Sequence, residues 1–136
     1  MKRTRSQKPV ATTEVRESFG YFWLYRRRRG WFTKPTFGTS LAVSADADFE
    51  LNTISVETAD VDRQWFSSDY NFQLSANDRT IWKAPVWYFN SPVKLAIPFR
   101  SLAGTRFDLQ FSGTRFKLTS RLTINVRLAG AQVYST

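Results

Sequence analysis

Four consecutive arginines, Arg26, Arg27, Arg28 and Arg29, stand between Trp23 and Tyr25 on one side and Trp31 and Phe32 on the other. A guanidinium carries a permanent charge and a planar fork of donors, and it stacks on aromatic faces. This is the chemistry of recognition, not of bond making. Four readings fit the segment. Guanidinium groups neutralise phosphates while rings stack on unpaired bases. Arg and Trp anchor protein interfaces. Aromatic and basic residues together settle at lipid headgroups. The plainest reading is a solvated basic turn before the first strand. A second cluster, Lys2, Arg3, Arg5 and Lys8, forms a basic tail, and such tails make salt-sensitive electrostatic contacts.

Bond-making chemistry has few candidates. The chain has no His and no Cys. The commonest general base, the thiol nucleophile and the usual zinc ligands are therefore missing. Carboxylates remain. Asp46, Asp48 and Glu50 alternate with Ala47 and Phe49, which on a strand puts three acids on one face. Calcium could use them, but no Gly-bearing loop is present to wrap the ion, and a solvated strand face is the simpler expectation. Asp60, Asp62 and Asp69 share a loop with Arg63; paired carboxylates can hydrolyse sugars, yet nothing in the spacing sets their separation. Trp82, Trp87, Tyr88 and Phe89 near Pro85 and Pro92 could line a groove, or serve as core and subunit interface. Gly104 and Gly113 read as turn glycines, and no phosphate-binding or dinucleotide fingerprint occurs. The expectation is a protein with no enzymatic activity, no cofactor and no metal.

Charge is loaded into one end. Met1 to Lys34 carries ten Lys/Arg against two acids, a net of +8 out of the chain's +9. Pro35 to Thr136 is close to neutral. The split suggests a basic, aromatic-rich arm over residues 1–33 attached to a folded body over 34–136, the arm becoming ordered against a partner. Within the body, Asp46 to Asp78 holds eight acids and one base, whereas Arg79 to Thr136 holds nine bases and one acid. Either the two halves pair as strands, bringing opposite charges together, or they occupy opposite ends of a dipolar molecule. No apolar run is long enough to cross a bilayer, and the first ten residues lack the apolar centre of a secretion signal. A soluble chain without a membrane partner is expected.

The elements that must position these residues read as short strands. Met1 to Ser18 is expected to be extended, with a short helix over Thr13 to Phe19 as an option; Phe19 to Phe32 fits neither a helical nor a strand period. After Lys34-Pro35, strands are expected at Thr39–Val43, Phe49–Val56, Tyr70–Leu74, Thr80–Phe89, Val93–Ile97, Arg106–Phe111, Arg115–Thr119 and Leu122–Leu128. The apolar phase slips between Leu51 and Ile54, the signature of a β-bulge. Pro85 marks Thr80–Phe89 as an edge strand or one that changes sheets. Gly130 is expected to break the last strand, with Gln132 to Tyr134 closing the sheet. Short strands at this spacing, without intervening helices, predict an all-β antiparallel sandwich of jelly-roll or Greek-key type.

One arrangement also resembles a known group. It runs through DFELNTISV from Asp48, then Phe72-Gln73-Leu74 and Trp82-Lys83-Ala84-Pro85-Val86. It continues in Ile97-Pro98-Phe99-Arg100 and in Ala103 to Leu109, and ends in Leu122 to Gly130. This pattern, spanning roughly Phe37 to Tyr134, is similar to small β-sandwich virion proteins of tailed bacteriophages. Several of those are jelly-roll cement or decoration proteins on capsids; others sit at the neck or tail. The resemblance implies a structural virion protein assembled in the host cytoplasm. Its partners would be the major capsid protein or other virion proteins, with self-association as an oligomer. On that reading Arg26 to Arg29, with Lys2, Arg3 and Arg5, supply electrostatic contact, and Trp23, Tyr25, Trp31 and Phe32 are anchors buried on a partner. Other expectations are a neck, tail or baseplate component, and a coat protein that packages nucleic acid with an inward arm.

Overall fold

The computed structural model describes residues 13–59, 63–89 and 91–135. Eight strands form two four-stranded antiparallel sheets: β1 (Glu14–Arg27), β2 (Thr36–Ala42), β3 (Asp48–Thr58), β4 (Asn71–Ala76), β5 (Arg79–Pro85), β6 (Val93–Ser101), β7 (Arg106–Ser112) and β8 (Leu122–Ser135). One sheet has the order β1-β8-β3-β6 and the other β2-β7-β4-β5. Consecutive strands thus alternate between sheets except at β4–β5, where a tight turn joins neighbours. This is the eight-stranded jelly roll of two Greek keys.

The core lies between the sheets and is built by strand alternation. Leu122, Ile124, Val126 and Leu128 on β8 and Phe107, Leu109 and Phe111 on β7 are buried, while their neighbours in sequence point outward. On β3, Phe49 and Leu51 are buried, then Ile54 and Val56. The pairing of β3 with both β6 and β8 shifts between Leu51 and Thr53, so the slip in the apolar phase is a bulge at Asn52. The β4–β5 turn places Asn77 at φ 47° and Asp78 at φ 68°. Asn and Asp tolerate that left-handed region better than other side chains, and it matches the strand twist of a tight hairpin. Pro85 ends β5, which is an edge strand, and Val86–Phe89 follows as a 3₁₀ turn. Pro98 sits in β6, also an edge; β6 pairs with β3 at Val93, Lys94 and Phe99 to Ser101, leaving Leu95 to Pro98 out of the ladder. The halves of opposite charge do pair as strands: Glu50 lies across from Arg100, and Ser75 and Ala76 of β4 lie across from β7.

Four expectations need correction. First, the boundary between arm and body does not fall at residue 33. Glu14 to Arg27 is β1, paired residue for residue with β8 from Glu14↔Ser135 to Arg27↔Leu122. There is no helix over Thr13 to Phe19. Tyr21, Trp23 and Tyr25 face inward onto the core, whereas Phe22 and Leu24 face outward and are exposed. Apolar residues on both faces hide the period of 2. Second, Arg115 to Thr119 is not a strand but a loop with a single bridge, Phe32↔Lys117. Third, Gly130 does not interrupt β8. It lies mid-strand where a Cβ would stand 1.8 Å from the Glu50 carbonyl oxygen, so the close approach of β3 requires glycine there. Fourth, a helix, α1 (Arg63–Asp69), lies in the β3–β4 connection. Lys2, Arg3, Arg5 and Lys8 lie outside the described residues, as do Asp60 and Asp62.

Candidate functional site

Two connections meet at one end of the sandwich. The β1–β2 connection carries Arg28 to Pro35, and the β7–β8 connection carries Gly113 to Arg121. Backbone hydrogen bonds lock them together: Gly30 N–H to Leu118 O at 2.9 Å, Leu118 N–H to Trp31 O at 3.0 Å, Thr33 N–H to Phe116 O at 2.9 Å and Gly113 N–H to Pro35 O at 2.8 Å. Gly30 has φ +83°, which glycine adopts without strain and which lets the chain turn out of β1.

A buried polar knot seats this clasp on the body. Thr33 is 2% exposed and its Oγ1 accepts from Phe116 N–H at 3.0 Å. The Tyr70 hydroxyl lies 2.9 Å from Thr33 Oγ1 and donates to Lys34 O at 2.6 Å. Burial raises the Tyr70 pKa above the ordinary phenol value. Beneath the knot, rings stack: Tyr25 on Phe37 at 4.4 Å, Phe37 on Phe111 at 5.3 Å, and Phe66 on Tyr70 at 4.7 Å. Such pairs contribute roughly 0.5–1.5 kcal/mol each beyond area burial. The loops are therefore held by core and backbone, with Thr33 and Leu118 buried and the charged side chains turned outward.

Those outside side chains are cationic. The first loop and the end of β1 present Arg26 to Arg29 and Lys34; the second loop presents Arg115, Lys117 and Arg121. Neither loop contains an acid. Among the described residues none of these eight cations makes an ion pair; the bridges involve Arg16, Arg100 and Arg106 only. Aromatic faces hold three of them in place of carboxylates. The Arg27 guanidinium lies 5.5 Å from the Tyr25 ring centre and 5.7 Å from that of Trp31. Arg28 lies 5.7 Å from Trp31, and Arg115 4.5 Å from Phe32. Arg27 also donates to the Tyr25 hydroxyl, while its Nε has no partner among the described residues. Trp31 and Phe32 are half exposed, at 51% and 47%. Trp31 is shared by two grooves: one runs between Arg26–Arg29 and Thr119–Arg121, the other between Arg27 and Arg115 over Phe32.

The structure thus brings together Arg26, Arg27, Arg28, Arg29, Trp31 and Phe32 at one surface. It does not leave Trp23 and Tyr25 as anchors for a partner: both pack half-buried on their own core, Trp23 6.1 Å from Phe111 and Tyr25 on Phe37. Lys34, Arg115, Lys117 and Arg121 were no part of the sequence reading of this site. The local sequence carries one signal of them, two acid-free loops that flank strands.

The acidic candidates are occupied otherwise. Asp48 accepts from Arg100 and from Ala103 N–H, and Glu50 accepts from Arg16. Among the described residues no group of three or more acids is placed to hold a metal. Asp69 is exposed at the end of α1. The outer face of the second sheet forms a polar trough, but its groups bond one another: Ser40 to Asp108, and Gln73 to Ser75 and Thr80. In the Trp82–Phe89 cluster, Phe89 is buried on Phe72, whereas Trp87 and Tyr88 are exposed. Among the described residues no helix is long and apolar enough to cross a membrane. In comparisons with known proteins, no family model, curated protein or solved structure matches this chain.

Proposed function

We propose that the chain is a non-enzymatic structural subunit of a virus particle, a jelly-roll module that works by contact with other macromolecules. The observation that supports this reading is the cationic clasp: a surface of eight positive charges with exposed rings, no ion pair among the described residues and no acids in its own loops. Exposed apolar side chains elsewhere on the body, Phe22, Leu24, Ile97 and Leu102, add contact surface for neighbouring subunits. The resemblance to tailed-phage virion proteins suggests a cement or decoration role. A second reading is a coat subunit that packages nucleic acid. It is favoured by the make-up of the clasp, where six of the eight cations are Arg, the side chain best suited to phosphate. Electron microscopy of particles from the producing host, with the chain located in the density, tests the proposal. Its presence in a stoichiometric shell or surface layer supports it, and particles complete without it overturn it.

A further inference from the structure

We propose that the clasp is a binding site for single-stranded nucleic acid, used without sequence preference and running through the two grooves that share Trp31. Three observations carry this. Charge is the first. Five guanidinium groups, Arg26 to Arg29 and Arg121, line one groove, and no carboxylate among the described residues neutralises them. A polyanion that displaces counterions there gains affinity from each phosphate met.

Planarity is the second. Arg27 and Arg28 are held against Trp31, and Arg115 against Phe32, so the surface alternates flat cations with flat rings. Bases stack on aromatic rings and on guanidinium planes alike. An acidic protein surface would also pair with the guanidinium forks, but its carboxylates would leave the exposed ring faces without a stacking partner. Duplex nucleic acid would keep its bases stacked away from the rings.

Rigidity is the third. The clasp is fixed by four backbone bonds and the Thr33–Tyr70 knot, so little ordering entropy is lost on binding. The site also differs from a basic tail, because three of its eight cations come from a connection about eighty residues further along the chain. The inference stands without the virion role: a chain that binds oligonucleotide in solution but is absent from every particle keeps this site and loses that role.

Fluorescence anisotropy of the full chain with a labelled oligothymidylate of about twenty nucleotides tests it. With about six phosphates engaged, log Kd should rise with log salt with a slope near 4, a loss of roughly 300-fold between 50 and 200 mM. Changing Arg28, Arg29, Arg115 and Arg121 together to Ser should abolish binding at 150 mM salt. Trp31→Ala should weaken it roughly five- to a hundredfold with little change of salt slope, and Trp31→Phe should restore most of the loss. Circular dichroism melts confirm that each variant is folded. A variant lacking residues 1–12 should keep the site and lose only part of the slope. Three results would overturn the proposal: binding that survives the fourfold Ser change, binding that vanishes with residues 1–12 alone, or equal affinity for polyglutamate of matched length. The last would assign the clasp to an acidic protein.

Discussion

At the end of the sandwich where β1 and β3 begin, Arg16 meets Glu14 and Glu50 at 3.2 and 3.3 Å, and Arg100 meets Glu14 and Asp48 at 3.0 Å. Arg106 there joins Asp78 and Asp108. At the opposite end, Arg26 to Arg29, Lys34, Arg115, Lys117 and Arg121 meet no carboxylate among the described residues, and rings steady three of them. The same residue type is thus treated in two ways within one small domain. Exposed ion pairs contribute only about 0–1 kcal/mol each, so the first end gains modest stability and its three arginines are neutralised. The second end bears mutual repulsion among its cations, offset in part by the ring contacts of Arg27, Arg28 and Arg115. Charge kept at a cost to folding marks a surface shaped for something outside the chain. A cation held on a ring keeps its full charge for that partner, whereas one held by a carboxylate does not.

The largest test of this contrast concerns what the cationic end stands on. Removing residues 1–27 takes away β1, strips β8 of its fourteen-residue partner and uncovers the core behind Tyr21, Trp23 and Tyr25. No cooperative melt is expected from that truncation, whereas removal of residues 1–12 should leave the melting temperature nearly unchanged. Equal melts for the two truncations would show that β1 is dispensable.

Next in size is the knot beneath the clasp. Tyr70→Phe leaves Thr33 and the Lys34 carbonyl short of a partner and should cost about 1–2 kcal/mol in urea unfolding. It should also change the alkaline limb. Burial favours the neutral phenol in the folded state, so its contribution is complete below the free phenol value near 10 and is lost as pH rises from there through the raised folded value. The Phe variant should lose less stability over that window; an unchanged limb would place the alkaline sensitivity elsewhere.

A smaller and sharper test removes charge at each end in turn. Asp48→Asn breaks the Arg100 pair and weakens the bond to Ala103 N–H, for an expected loss of about 1 kcal/mol or less. Arg28→Ser with Arg29→Ser should change stability by no more than a few tenths of a kcal/mol, since the repulsion relieved is set against the single contact of Arg28 with Trp31. Both effects should shrink in 1 M salt. Equal destabilisation by the two changes would erase the distinction between the ends.

The smallest effect lies at low pH. The Arg100 hydrogen bond holds the Glu14 carboxyl below its ordinary value, and the Ser40 hydroxyl and Arg106 do the same for Asp108. Lowered carboxylates stabilise the fold above their ordinary values near 4, and that help disappears as pH falls through the lowered ones. Arg100→Gln should therefore flatten the acid limb slightly; an acid limb steeper than wild type would contradict the assignment.

Much of the sandwich was legible because alternation is a local property. Phe107, Leu109 and Phe111 show the face of β7 directly, and the slip from Leu51 to Ile54 marks the bulge in β3. β1 was not legible, because its outward positions Phe22 and Leu24 are as apolar as its inward rings and four arginines follow. Half of the candidate site was legible as a run of like residues. The other half was not, since Arg115, Lys117 and Arg121 are ordinary surface cations until the two loops are brought together.

From its residue types and their order alone, this chain is committed to an all-strand sandwich, to a strongly basic front quarter and to a catalytic repertoire without His or Cys. Tertiary structure decided that the first strand belongs to the body, that Asp48 and Asp78 of the acidic half meet Arg100 and Arg106 of the basic half, and that eight cations from two distant segments share one surface. The reason is physical: burial patterns act between neighbours in sequence, whereas charge acts across whatever distance folding leaves. The pairing of β1 with β8 and of β3 with β6, and the clasp of Gly30 to Thr33 on Phe116 to Leu118, set those distances.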